Sequence, residues 1–274
     1  VNTIIFSKDR ACQLHLLLQT LDRCGGWGSA SQPLKVLYWA SYEDYHRGYD
    51  LLQEMYPAVF FISQTSAEEF IPKLRSLVRA EDYLTWFLVD DIVFTGLDRN
   101  PFNTWVQDHL TAHTDTAAVS LRLCPRINYC YTENRKAPKP LLYDTEDGLL
   151  RWEWKGQPGD WGYPMSLDGN VFRTADLLPY LEDSTIVNPN AFENAMARGP
   201  LKSPWLACFR DSALFNVPAN RVQDTHPNRS MHSDPMTLNA AWLAGDEIDP
   251  SPFRGYQNRS PHEEVNYILR RRHS

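Results

Sequence analysis

The sequence predicts an α/β fold, and three observations carry that reading. Short apolar runs rich in β-branched residues recur through the first 123 residues, each is followed by apolar residues at helical spacing, and polar or glycine-rich stretches separate them. Such alternation builds a largely parallel sheet covered by helices.

The elements follow in order. Residues 3–6 form a strand, Ser7-Lys8-Asp9-Arg10 a polar loop, and Leu14, Leu17, Leu18 and Leu21 one face of a helix stopped by Cys24-Gly25-Gly26. Residues 34–39 give a second strand ending at Ala40-Ser41, 45–56 a helix, 59–62 a third strand, and 67–79 an amphipathic helix. The run 85–89 is almost wholly apolar, as in a strand buried on both faces. Asp90-Asp91 and then Ile92-Val93-Phe94 follow it, a helix is expected over 103–113, and a strand over 117–123. Beyond residue 123 prolines and aromatics thicken. Short strands are expected over 150–154 and 165–167, and a helix over 174–181 capped by Thr174. A helix over 192–197 is opened by Asn188 or Asn190, a late strand spans 213–218, and Arg270-Arg271-Arg272 reads as a solvated helix terminus.

Composition narrows the function. With 27 Lys+Arg against 34 Asp+Glu the net charge is −7, which argues against a nucleic-acid or anionic-membrane binder. No window reaches the roughly 18 apolar residues of a membrane span, and the first ten residues lack the order of a signal peptide. A soluble, cytoplasmic chain is expected, with peripheral association at the inner face of a membrane left open. Val at position 1 fits a chain trimmed or cut from a longer one. Five widely spread cysteines without a C-x-x-C pair predict free thiols rather than a disulfide framework or zinc site.

Asp90-Asp91 is the strongest local feature. Adjacent carboxylates after a buried strand repel each other unless a cation or hydrogen-bond donors offset the charge, and the carboxyl edge of an open α/β sheet is where ligands bind. Mg²⁺ or Mn²⁺, held by one or two carboxylates and a substrate's phosphates, meets that need. A solvated acidic turn is the competing reading.

Three motifs then carry a resemblance: Ile4-Ile5-Phe6-Ser7-Lys8-Asp9-Arg10 with Gln13-Leu14, Phe87-Leu88-Val89-Asp90-Asp91-Ile92-Val93-Phe94, and Ser166-Leu167-Asp168-Gly169-Asn170-Val171-Phe172-Arg173. Together they resemble GT-A fold glycosyltransferases that use nucleotide sugars. The resemblance implies one GT-A-like α/β/α sandwich over residues 1–274, with a Rossmann-like nucleotide-binding half (1–123) and a mixed-sheet acceptor-binding half (124–274). It implies a metal-bridged nucleotide diphosphate sugar as donor and a glycan or glycolipid hydroxyl as acceptor. Val89-Asp90-Asp91 departs from the common D-x-D pattern, so Asp91 becomes the direct metal ligand and Asp90 a contact to the ribose or a ligand water. Ser7, Lys8, Arg10 and Ser41 fall where the nucleotide binds. His226 becomes the third metal ligand, with His232 behind it and Asp224 as an alternative.

An inverting transfer needs a carboxylate to deprotonate the attacking hydroxyl. Glu193 and Asp168 are the candidates; the resemblance favours Glu193 as base and Asp168 for binding a sugar. Glu193 also suits a capping or helix-dipole role. Trp152, Trp154, Trp161 and Tyr163, set among glycines, are either a sugar-stacking platform or core. Three rivals remain. A nucleotidyltransferase would want glycines that the 7–10 loop lacks, a phosphohydrolase a denser ligand set, and a non-catalytic binding module no turnover.

Overall fold

The computed structural model describes residues 1–24, 33–96, 102–199, 203–222, 229–231 and 233–272. The first half alternates as expected: β1 (Asn2–Lys8), α1 (Ala11–Arg23), β2 (Lys35–Trp39), α2 (Glu43–Met55), β3 (Phe60–Gln64), α3 (Phe70–Leu77), β4 (Leu84–Val89), β5 (Ile92–Phe94), α4 (Phe102–Ala112) and β6 (Thr116–Ser120). The second half holds β7 (Tyr129–Cys130), β8 (Arg135–Lys136), β9 (Tyr143–Asp144), β10 (Leu150–Glu153), β11 (Asn170–Arg173), α5 (Thr174–Leu177) and α6 (Pro189–Arg198). It continues with β12 (Trp205–Cys208), β13 (Leu214–Asn216), α7 (Pro235–Leu243), β14 (Asp246–Ile248) and β15 (Leu269–Arg271).

Nine strands form one sheet in the order β3-β2-β1-β4-β11-β6-β12-β10-β9. The first four are parallel, with Ile5 level with Val36 and Leu88. β11 runs antiparallel between β4 and β6, and β12 returns parallel to β6, so strands from both halves interleave.

Side-chain alternation along β1 and β4 divides the core between two faces. Ile5, Trp86 and Leu88 pack with Leu14, Leu17, Tyr49 and Trp242 of α1, α2 and α7. Ile4, Phe6 and Phe87 pack with Phe70 and Leu74 of α3 and Phe192 of α6. The result is an α/β/α sandwich with a parallel half and a mixed half. Phe87 stacks on Phe6 at 5.5 Å and meets Phe192 edge-on at 5.9 Å. Burying each such ring is worth roughly 1.5–3 kcal/mol, and Phe192 thereby fixes the helix that bears Glu193.

Several expectations are corrected. Residues 67–69 form a 3-10 turn, so the amphipathic helix begins at Phe70. The strand expected over 117–123 ends at Ser120, where Leu121 turns to Gly169 and Ala213 through its N–H and carbonyl. Residues 165–167 are a turn. Thr174 caps nothing: its hydroxyl bonds that of Thr85 at 2.8 Å, and the helix passes into a 3-10 turn at Leu178. The late strand shortens to Leu214–Asn216, antiparallel to β5. Arg270-Arg271-Arg272 is no helix end: Arg270 lies in β15 and pairs with Glu247 at 2.7 Å and Asp249 at 3.1 Å. None of the five cysteines, all of them among the described residues, is in a disulfide. Among the described residues no helix is long and apolar enough to cross a membrane.

Candidate active site

The site is built on the carboxyl ends of β1 and β4. Asp9 takes a left-handed backbone (φ 55°), unusual for a residue with a side chain. Its carboxylate accepts the N–H and hydroxyl of Ser41, both at 2.7 Å, joining the loops after β1 and β2. That bend delivers Arg10 to the start of α1 with its guanidinium against both acids, 2.9 Å from Asp90 Oδ1 and 3.3 Å from Asp91 Oδ2.

Asp90 is buried, and its oxygens are engaged inward. Oδ2 accepts from the Ser7 hydroxyl at 2.9 Å and the Lys8 N–H at 3.0 Å, while Oδ1 takes Arg10. Burial pushes its pKa up to about 6 against the pull of Arg10. Burial likewise opposes the charge of Arg10, yet the two acids raise its pKa. The expected contact of Asp90 with a ribose or ligand water therefore gives way to a framework role, because the carboxylate points into the protein. Ser7 is spent on Asp90 and Tyr49, and Ser41 on Asp9. Lys8 lies with its ammonium 5.8 Å from the centre of the Trp39 ring. The repulsion that seemed to call for a metal is already offset by Arg10.

Asp91 faces the other way. Its backbone carbonyl accepts from Val217 N–H at 2.8 Å and its Oδ1 from Asn216 Nδ2 at 2.8 Å, so β13 sets its direction. Asn220, four residues on, accepts from Arg10 Nε at 2.8 Å. These contacts fix both amide orientations and leave Asn216 Oδ1 and Asn220 Nδ2 buried without partners.

Asp91 and Arg10 form one side of a cleft of about 410 Å³; Arg122, Asp168, Glu193, Tyr163 and His262 form much of the rest. Gly169, in a left-handed turn (φ 86°) against Leu214, lets β11 begin directly behind Asp168. Asp168 Oδ2 lies 3.0 Å from Arg122 Nη1 and 3.4 Å from His262 Nε2. Burial works against its charge, but Arg122 and His262 outweigh that and hold its pKa below the usual carboxylate value. Burial likewise opposes protonation of His262, and the bond to Asp168 reverses this, raising its pKa.

Glu193 sits in the first turns of α6, a helix capped by Asn188, whose side chain accepts from Ala191 N–H at 2.8 Å. Its Oε1 accepts the Leu167 N–H at 2.9 Å. Burial, reinforced by the charge of Asp168, pushes its pKa up to about 7. Two carboxyls in one cleft are thus driven apart, Asp168 kept ionised and Glu193 poised near neutrality, the arrangement that separates a binding acid from a proton-transfer group.

The structure therefore brings Asp91, Arg10, Asp168 and Glu193 together, while Ser7, Ser41 and Asp90 support them from behind. His226, His232 and Asp224 lie outside the described residues. Trp152 and Trp161 are core, edge to face at 5.0 Å with Trp152 Nε1 donating to the Trp161 carbonyl; Trp154 donates to Ser203, and of the four aromatics Tyr163 lines the cleft. Arg122, Asn216, Asn220 and His262 were not anticipated. They lie in irregular or very short segments where spacing carries no signal.

On the Asp91 side, the Asp91 carboxylate and the partnerless carbonyl oxygen of Asn216 are oxygen donors of the type Mg²⁺ and Mn²⁺ prefer, and a cation there would have to displace Arg10 from Asp91 Oδ2. A second group with ligand chemistry, His109, His113 and Asp147, has its ligand atoms within 4.8 Å of one another. There His109 Nδ1 already bonds Asp147 at 2.8 Å, and Arg151 Nη1 approaches His113 Nδ1 at 3.0 Å. A guanidinium donor stands where a metal-bound imidazole needs an acceptor, which makes this a poor cation site.

No family model matches the chain. The chain is similar to a glycosyltransferase. The bifunctional glycosyltransferase pgtA of Dictyostelium discoideum is 28% identical over 262 residues, covering 83% of this chain and 33% of pgtA. The chain thus spans about a third of the length of this curated relative. Among solved structures, S. aureus TarS is similar with a TM-score of 0.48 and 10% identity, over 78% of this chain and 36% of TarS. TarS 1-349 in complex with UDP gives a TM-score of 0.47 and 11% identity, over 92% of this chain and 68% of that chain.

Proposed function

We propose that the chain is a GT-A-type glycosyltransferase domain that moves a sugar from a nucleoside diphosphate sugar to a glycan or glycolipid hydroxyl with inversion. Residues 1–123 contribute most of the donor side and 124–274 most of the acceptor side. The observation that carries the reading is the single cleft that Asp91, Asp168 and Glu193 all line, with Glu193 near neutrality. The similarity to pgtA supports the same class of activity.

In this reading Glu193 accepts the proton of the attacking hydroxyl as its oxygen bonds to the anomeric carbon. The bond from that carbon to the diphosphate breaks, and the nucleoside diphosphate leaves. A group whose pKa lies near the working pH is the efficient base for this step. Asp168, held anionic by Arg122 and His262, accepts hydrogen bonds from sugar hydroxyls. Arg10, bonded to Asp90, Asp91 and Asn220, holds Asp91 at the edge of the donor site. Asp91 and Asn216 would hold Mg²⁺ or Mn²⁺, which supplies electrostatic stabilisation of the leaving diphosphate.

Arg10 bonds both acids and offsets one of their two charges, and this favours one second reading: transfer without metal. A thermal-shift panel of uridine, guanosine, cytidine and adenosine diphosphates, each with Mn²⁺, Mg²⁺ or chelator, distinguishes the two, because a ligand bound by the native state raises its stability. A metal-dependent shift with one nucleotide series is expected. An equal shift in chelator supports transfer without metal, and no shift with any nucleotide refutes the donor class.

A further inference from the structure

The cleft does not end at His262. A second cavity of about 880 Å³ adjoins it, and the two share Tyr131, Arg229 and His262 in their walls. The second cavity contains none of Asp91, Asp168 or Glu193; Tyr129, Lys136 and Arg259 help to line it instead. Its volume lies in the upper part of the range, about 300–1,000 Å³, in which pockets bury a drug-sized molecule. That is more room than one sugar ring fills.

His262 stands where the two cavities meet. It is held in place by backbone as well as side chain: Asn216 N–H donates to the Pro261 carbonyl at 2.8 Å, and Glu263 N–H to the Asn216 carbonyl at 3.0 Å. With Nε2 on Asp168, its Nδ1 is buried and has no partner. A buried polar atom without a partner is costly, so it marks a place where a ligand or water completes the structure. The group that suits this atom is a hydroxyl. Nδ1 is an acceptor in the neutral ring and a donor in the cation, and a hydroxyl answers both, whereas a carbonyl or an ammonium answers one. The carboxylates of the second cavity are already engaged: Glu264 takes the Tyr131 hydroxyl at 2.5 Å, and Glu263 takes the Tyr256 hydroxyl at 3.0 Å and the Arg259 N–H at 2.7 Å. Tyr131 is buried with Arg229 lying over its ring at 4.6 Å, so the wall presents the flat guanidinium of Arg229 beside the half-buried ring of Tyr129.

Resting on the glycosyltransferase reading, we infer that the acceptor is an oligosaccharide of at least two sugars that enters through the second cavity, its hydroxyl-bearing terminal sugar held by His262 Nδ1 at the junction. Tyr129 and the guanidinium of Arg229 take the sugars behind it.

The experiment probes an array of defined mono- to hexasaccharides with the full chain, Mn²⁺ and either UDP or GDP. Binding confined to spots of two or more sugars is expected. His262→Ala lowers that signal at least tenfold, and His262→Asn, which again presents both a donor and an acceptor, recovers part of it. Tyr129→Ala, outside the first cavity, lowers the oligosaccharide signal several-fold and leaves the nucleotide-induced thermal shift unchanged, which keeps the test open if the His262 variants fold poorly. Monosaccharides bound as well as oligosaccharides, full glycan signal in His262→Ala, or no glycan bound despite a normal nucleotide shift would each overturn the inference. The last outcome leaves the donor reading standing, whereas loss of the nucleotide shift from the unmodified chain sinks that reading instead.

Discussion

Glu193→Gln should make the protein more stable as it makes it inactive, and the size of the gain follows from the site. The carboxyl of Glu193 is raised from its ordinary 4.5 to about 7. Below about pH 4.5 it is protonated in the folded and unfolded chain alike. Between that value and about 7 only the folded chain keeps the proton, so this group's contribution to stability falls as pH rises through the window. At about 1.4 kcal/mol per pH unit, the penalty in place above pH 7 is about 3 kcal/mol. Glutamine keeps an oxygen for the Leu167 N–H and cannot ionise, so it escapes this penalty. Urea denaturation of both proteins from pH 4.5 to pH 8 reads the difference directly, since every other titrating group is common to the pair. The variant should match the wild type at the acid end and exceed it by about 2–3 kcal/mol at pH 8. Turnover should rise with pH through about 7 in the wild type and be lost in the variant. Parallel stability profiles would refute the claim that burial raises this carboxyl, and with it the assignment of Glu193 as the poised base.

Three further outcomes follow from the same geometry. Asp91→Asn keeps the bond to Asn216 but removes the charge, and should cut turnover by about 10²–10³ while abolishing the Mn²⁺-dependent part of the nucleotide shift; unchanged metal dependence would exclude Asp91 as a ligand. Asp90→Asn breaks a buried ion pair and should cost about 3–5 kcal/mol in urea denaturation, whereas a loss under about 0.5 kcal/mol would show that Asp90 is not the framework residue described here. Trp161→Ala should cost about 3–5 kcal/mol, since its ring is fully buried against Trp152; a near-neutral effect on stability with weakened glycan binding would return it to a platform role.

The first half was legible because its strands are buried on both faces and its helices are long enough to show a period. β1, α1, β2, α2, β3 and β4 all appear close to their expected places. The second half was not, for physical reasons visible in particular elements. β12 and β13 have four and three residues, too few for any alternation to register. α7 buries Asn239 beside Leu238 and Trp242 and exposes Met236, so polar and apolar residues do not separate into an amphipathic stripe. Asp91, Asp168 and Glu193 could be picked out because acids beside apolar strands or in a capped helix stand out chemically. Their roles came only from the resemblance, which favours Glu193 as base and Asp168 for binding a sugar. The residue pattern alone could not separate them, because the ion pairs of Asp168 are with Arg122 and His262, 46 and 94 residues away. Asp90 misled for a related reason: adjacency to Asp91 says nothing about which of the two faces inward.

The position of β11 has a consequence for how such a protein can be made. β4 and β6 are separated by a strand that begins at Asn170, and β6 is flanked on its other side by a strand that begins at Trp205. Until those residues leave the ribosome, β4 presents an open edge of Trp86, Phe87 and Leu88, and β6 has no neighbour at all. Open apolar edges invite pairing with other chains. A nascent chain of about 120 residues is therefore a half-sheet in need of protection rather than a finished nucleotide-binding module. The same weave means that a cut at residue 123 would leave neither half with a complete sheet.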